Sequence, residues 1–159
     1  MSEQSASAPA GLAAPDRLYP ARPILCASIA VFRGDRVLIA TRTKPPGAGV
    51  WSLPGGLVEV GERVEDGALR ELMEEVGVTA RIVGFNRFVE RIERDEAGRV
   101  RHHFVVASFV GRWIAGEPQT GPEAGEVRWA DPRALDDLPA TPSLRQTLAQ
   151  AADIATLRP

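Results

Sequence analysis

Two runs of β-branched and apolar residues, Pro23 to Phe32 and Arg36 to Thr41, are separated only by Arg33-Gly34-Asp35. A short link with a central glycine suits a tight reversal, so the pair predicts two antiparallel strands. The stretch Pro45-Pro46-Gly47-Ala48-Gly49 predicts a loop, since proline lacks an N–H and glycine is conformationally loose. Between Val64 and Val76 the period changes. Val64, Ala68, Leu69, Leu72, Met73 and Val76 recur at steps of three and four, with Gly77 as a stop, which predicts one amphipathic helix. Gly67 inside it costs about 1 kcal/mol of helix propensity relative to alanine, for tertiary packing to offset. Strands are expected again at Arg81 to Val89 and Phe104 to Val110, turning through Glu96-Ala97-Gly98, and a short one at Glu126 to Ala130. Pro132 is expected to open a small helix, and a longer one to run from about Ser143 to Leu157. No internal repeat is present.

The chain has 159 residues, 44% hydrophobic and 25% charged, which fits one ordinary globular domain with one site. Residues 1–21 differ: rich in Ala, Ser, Pro and Gly with few large apolar groups, they bury too little to repay ordering. A flexible tail ahead of a domain over residues 22–159 is expected. The formal net charge of -2 offers no general attraction to nucleic acid or to an acidic membrane, so neither is expected as a partner. Anion recognition then falls to locally placed arginines. No stretch approaches the roughly 18 apolar residues of a spanning helix, and the N-terminus lacks a basic segment followed by an apolar one, so a cytoplasmic location is expected. The single cysteine, Cys26, lies in an apolar run with no Cys or His at metal-ligand spacing, and reads as a small buried hydrophobe.

Candidate chemistry concentrates on the helix. Glu71 and Glu75 are four residues apart and Glu71 and Glu74 three, which places the carboxylates together on the face away from Ala68, Leu72 and Val76. Their repulsion destabilises the helix by a few tenths of a kcal/mol per pair unless a cation sits among them, and Arg70 alone cannot neutralise three acids. A hard divalent ion with oxygen ligands, magnesium above all, suits such a group. Just upstream, Trp51-Ser52-Leu53-Pro54-Gly55-Gly56 holds two glycines that allow close backbone approach. Glu62 stands at the helix entrance within reach of Arg70, a pairing expected to be structural.

Gly56, five residues, Glu62, seven residues, then Arg70-Glu71-Leu72-Met73-Glu74-Glu75-Val76-Gly77-Val78 resembles the Nudix box with every signature position filled. By average composition such a match arises by chance in about one window in a hundred million or fewer. The order of elements around the box is similar to that family over roughly Pro23 to Leu157. The resemblance implies an α/β fold, a Nudix-type α/β/α sandwich with a mixed β-sheet. It implies hydrolysis of a nucleoside diphosphate linked to another group, with Mg2+ (or Mn2+) held by Glu71, Glu74, Glu75 and the Gly56 carbonyl. Arg70 would orient a glutamate. The group that takes the proton of the attacking water varies within the family: Glu74 and Glu75 are candidates, as are Glu123 and Glu126 shortly before Trp129, of which Glu126 is favoured.

Substrate contacts are expected from Arg42 in the loop ahead of the box and from Arg99, Arg101 and His103, which alternate along one side of a strand. The competing reading of the latter is a charged, exposed hairpin with glutamates interleaved. Trp51 either stacks on a base or fills core; Phe85, Phe88, Trp113 and Trp129 are expected to pack. The flanking segments resemble the ADP-ribose pyrophosphatase-like branch, although Glu93 and Arg94 stand where many of its members have proline. Three functions follow: an enzyme of ADP-ribose pyrophosphatase type, a MutT-type enzyme acting on nucleoside triphosphates, or a nucleotide-sensing module without turnover. The last usually needs an added DNA-reading helix pair, for which the residues after Trp129 are too few and too acidic. Members with the first substrate type are often homodimers, and the resemblance carries that expectation too.

Overall fold

The computed structural model describes residues 17–45 and 47–158, so most of the expected tail lies outside the described residues. Strands β1 (Ile24–Arg33) and β2 (Arg36–Arg42) pair antiparallel through a turn in which Gly34 takes a φ of 63°. Two short strands, β3 (Trp51–Ser52) and β4 (Gly55–Leu57), precede helix α1 (Val64–Val76); then come β5 (Thr79–Arg94), β6 (Val100–Ala115), β7 (Ala124–Ala130) and helix α2 (Leu144–Leu157). They form one sheet in the order β3-β2-β1-β6-β5, with β4 paired to β1 and β7 to β2. The β1–β6 pairing is parallel and the other pairings are antiparallel, so the sheet is mixed.

Alternation along the central strands separates two cores. Ala27, Ile29 and Val31 of β1 with Leu38 and Ala40 of β2 face α1, where they meet Ala68, Leu72 and Val76. Their neighbours Ala30, Phe32, Val37 and Ile39 face α2, against Leu144, Leu148 and Ala151. Burying both sides of a sheet under one helix each gives the expected α/β/α sandwich. Helix α1 stops at Gly77, which takes a left-handed φ of 72° and donates its N–H to the Met73 carbonyl.

Three expectations change. Strands β5 and β6 run 16 residues each, well past the apolar stretches that predict them. Their far ends extend beyond the part of β6 that β1 pairs with, Phe104 to Arg112, and there the two strands go on pairing with each other as far as Arg94 and Val100. Pro132 opens turns rather than a helix, and that segment is anchored by Leu135, buried in the α2-side core. Phe85 and Phe88 are 47% and 60% exposed instead of packed, because the core beneath α1 reaches only to Ala107 and Phe109.

Tyr19, within the span expected to be tail, is fixed to the β5–β6 hairpin. Its N–H donates to the Arg101 carbonyl at 2.9 Å and its hydroxyl to Asp95 Oδ2 at 3.0 Å. Cys26 is buried, and burial pushes its thiol up to about 11. Among the described residues no helix is long and apolar enough to cross a membrane.

Candidate active site

Arg70 organises the α1 face nearest β4. Its Nε donates to Glu62 Oε1 at 2.7 Å and its Nη2 to Glu62 Oε2 at 3.1 Å, a two-point pairing that ties the loop before the helix to the helix itself. The same Nη2 donates to the Leu57 carbonyl at 2.9 Å, while Nη1 donates to Glu71 Oε1 at 2.9 Å and Glu74 Oε2 at 3.1 Å. Every nitrogen is engaged. These hydrogen bonds hold the Glu62 carboxyl below the usual carboxylate range and raise the guanidinium further.

The two glycines of β4 are required for different reasons. A Cβ at Gly56 would lie 2.6 Å from the Glu71 carboxylate, so the missing side chain is what lets that carboxylate settle on the strand. A Cβ at Gly55 would instead overlap the Ala27 carbonyl of β1, and its N–H points at Glu75 Oε2, 3.4 Å away. Glu71 is thereby only 9% exposed, although it lies on the helix face away from Ala68, Leu72 and Val76. Glu71 and Glu75 lean toward β4, and Glu74 alone stays in solvent, held by Arg70.

A third carboxylate arrives from the loop before β7. Oxygens of Glu71, Glu75 and Glu123 all lie within 4.8 Å of one another. That loop is tied across the cluster to the segment after β2: Thr43 Oγ1 donates to the Pro122 carbonyl at 2.6 Å, and Lys44 Nζ lies 4.0 Å from Glu123. Burial, then the charges of Glu71 and Glu123, push the Glu75 carboxyl up to about 8; burial also raises Glu71, against the pull of Arg70. The donor set fits a hard divalent cation. Three oxygen acids converge, two of them are disfavoured as bare anions, and the adjacent arginine is spent on other partners.

Of the substrate candidates, Arg42 comes to this cluster. Its positive charge acts on Glu75, and its buried Nε has no hydrogen-bond partner among the described residues. Trp51 is 4% exposed and sits in the α2-side core with the Arg128 guanidinium 4.6 Å from its ring centre, so it offers no open face to a base. Arg99 donates Nε to Asp95 Oδ2 at 2.8 Å and lies 4.8 Å from the Tyr19 ring, which engages it in the hairpin. His103 precedes Ala107, the residue level with Gly56 through Ala27, by four positions, and exposed Arg101 by six. At about 3.3 Å per residue they lie on the order of 13–20 Å along the sheet from the carboxylates. Glu126 also falls outside the cluster. Val127 and Trp129 of β7 pack under α1, so alternation turns Glu126 to the other face, where its N–H takes the Thr41 hydroxyl as acceptor at 2.8 Å. That alternation was available in the sequence as a signal against Glu126; the register shift between Ala40 and Arg42, which puts Ala124 in the α1-side core, was not.

The NUDIX domain model matches residues 22–151. An ADP-ribose pyrophosphatase of Methanocaldococcus jannaschii is 31% identical over 123 residues, which cover 77% of this chain and 68% of that protein. A putative 8-oxo-dGTP diphosphatase 2 of Mycobacterium tuberculosis is 50% identical over 50 residues, 31% of this chain and 36% of that one. The crystal structure of a MutT NUDIX hydrolase from Burkholderia pseudomallei superposes with a TM-score of 0.69 at 32% identity, covering 81% of this chain and 98% of that one.

The raised carboxyls make a prediction about stability in protein freed of metal by a chelator. With Glu71 and Glu75 above the ordinary value of 4.5, the folded state keeps protons that the unfolded chain releases. The contribution of both is complete below that value, and that of Glu75 is lost as pH rises through about 8. The thermal midpoint should therefore fall by about 5 °C or more between pH 6 and pH 9 in chelator. Millimolar Mg2+ should abolish the fall, and so should Glu75→Gln without any metal. A flat profile for the chelated wild type, followed by circular dichroism, contradicts the assignment.

Proposed function

This chain belongs to the Nudix hydrolase family, and from that premise we propose that it hydrolyses the pyrophosphate bond of a nucleoside diphosphate linked to another group, ADP-ribose or a close analogue. The products are a nucleoside monophosphate and a phosphorylated remainder. The observation that carries the reading is the convergence of Glu71, Glu75 and Glu123, with the charge of Arg42 acting on Glu75.

Glu71, Glu75 and Glu123, with the Gly56 carbonyl, would hold Mg2+ (or Mn2+), and Glu74 completes the acidic set on the solvent side. The bound cation supplies charge neutralisation at the phosphate oxygens and a lowered pKa for an attacking water. The chain's residues supply the rest. Arg42 contacts the pyrophosphate as the cation of the cluster with a free donor. Arg70 fixes the Glu71 carboxylate so that it does not swing into solvent. Glu123, on a loop rather than on α1, takes the proton from water, in the place the sequence reading gave Glu126. Arg101 and His103 stand too far off to touch the scissile bond and belong, at most, to the remote end of a long substrate.

Triphosphate hydrolysis is the second reading, favoured by the likeness to the diphosphatase and to the MutT structure. Incubation with Mg2+ and a panel of ADP-ribose, dinucleotides, nucleotide sugars and triphosphates separates the two. AMP plus ribose phosphate is the expected product pair; inorganic pyrophosphate from triphosphates alone supports the second, and tight binding without cleavage sinks both. Glu123→Gln should lower kcat about 100-fold or more, while Glu126→Gln should leave it within about threefold. The reverse ranking restores Glu126 as the base.

A further inference from the structure

Where the α2-side core ends, β5 meets the N-terminus of α2 in a region of unmet positive charge. Asn86 Nδ2 donates to the Thr147 carbonyl at 3.0 Å and Gln150 Nε2 to the Asn86 carbonyl at 2.8 Å, which seats the first turns of α2 on the strand. The next residue, Arg87, stands level with Ser108 and so points to the same side of the sheet as Val110, toward α2. Its Nη1 is buried with no hydrogen-bond partner among the described residues. Ser108 is 0% exposed and Thr147 3%, and neither hydroxyl has a partner among those residues. Buried polar groups are costly when unpaired, so these mark a place for atoms that the chain does not itself supply.

Helix α2 adds a second positive element. Its N-cap, Ser143, makes no side-chain cap hydrogen bond, and its first turn holds no acid. Leu144 and Thr147 donate their N–H groups to the Thr141 and Ser143 carbonyls, but among the described residues no acceptor takes those of Arg145 and Gln146. A helix end of this kind attracts anions. Here arginine stands beside it instead. Arg87, Val89 and Ser143 line one cavity of about 480 Å³. Glu90 also lines it but stands level with Val105, on the opposite face of the sheet.

The cavity is in line with the acidic site. Arg87, Ser108, Ser28 and Gly55 form one row across β5, β6, β1 and β4. At about 4.8 Å between neighbouring strands, Arg87 lies on the order of 14 Å from Gly55. The adjacent row, Val89, Val106, Cys26 and Leu57, runs along the same face, and Val89 and Val106 are only half-buried. A nucleotide laid along that strip has its pyrophosphate by Gly55 and Gly56 and its ribose toward Arg87.

We propose that Arg87 and the N-terminus of α2 form a second anion subsite, which seats a phosphate monoester on the ribose of the substrate. The preferred substrate class is then a nucleoside diphosphate derivative bearing a third phosphate, a conclusion that rests on the pyrophosphatase reading above and narrows it. The guanidinium takes two phosphate oxygens, and the free N–H groups at the head of α2 take the third. A ribose bearing hydroxyls alone leaves both positive elements unpaired.

Isothermal titration calorimetry in Mg2+ with AMP, adenosine 2′,5′-bisphosphate and adenosine 3′,5′-bisphosphate tests the subsite apart from turnover, since none of the three contains an anhydride to cut. One bisphosphate should bind about tenfold or more tightly than AMP. Arg87→Gln should bring the two within about twofold. Ser143→Asp, which places a carboxylate at the helix end, should do the same while raising the thermal midpoint. Equal affinity of the wild type for AMP and both bisphosphates overturns the proposal, and so does a preference that survives both variants. Inorganic phosphate should bind about tenfold or more weakly than the favoured bisphosphate; equal binding makes this a site for a free anion and overturns the substrate class. Preference for a bisphosphate without hydrolysis of any member of the earlier panel removes the reaction assigned above and keeps the subsite.

Discussion

One guanidinium fixes the geometry of the acidic site. Arg70 joins the carbonyl at the end of β4, a loop carboxylate and two helix carboxylates. A lysine in its place would be a point charge without the planar fork that spans Glu62 while reaching Leu57 and Glu71. Because those donors are committed, they cannot also neutralise Glu75 and Glu123. The result is a division of charge across the helix: one flank satisfied internally, the other left needing a counter-ion from outside.

That second flank works against folding. A buried carboxyl pushed to about 8, next to another acid, is a local conflict between sequence and structure of the kind that concentrates at functional sites. The opposing favourable terms lie in the two cores, where Leu38, Leu72, Ile39 and Leu148 are fully buried. The sheet divides the labour. Its α2 side is packed and includes Trp51; its α1 side carries the acids, the glycines that admit them and the uncovered aromatic patch.

Much of this was legible in the chain. Helix α1 followed from its three- and four-residue spacing, and the hairpin of β1 and β2 from one glycine between two apolar runs. The acidic constellation followed from the box. What periodicity could not supply was depth. Glu71 reads as an exposed helix acid until Gly56, fifteen residues earlier, is seen to remove the atom that would block it. Phe85 and Phe88 read as core because hydrophobicity does not report how far a covering helix extends. For Trp51 and Arg99 the sequence left two readings open, because the partners that hold them, Arg128 for one and Tyr19 for the other, are distant along the chain.

The parallel pairing of β1 with β6 bears on the order in which the molecule assembles. Ala27 pairs with Gly56 on one side and with Ala107 on the other, so the strand that seats Gly56 is itself seated by residues far along the chain. Such contacts close large loops before any return is felt, which slows folding and makes it cooperative. A nascent or truncated chain that ends before β6 therefore contains the whole box and still lacks a rigid platform for it. Cation affinity should appear late and all at once during synthesis, as a property of the finished sheet and not of the helix that bears the acids.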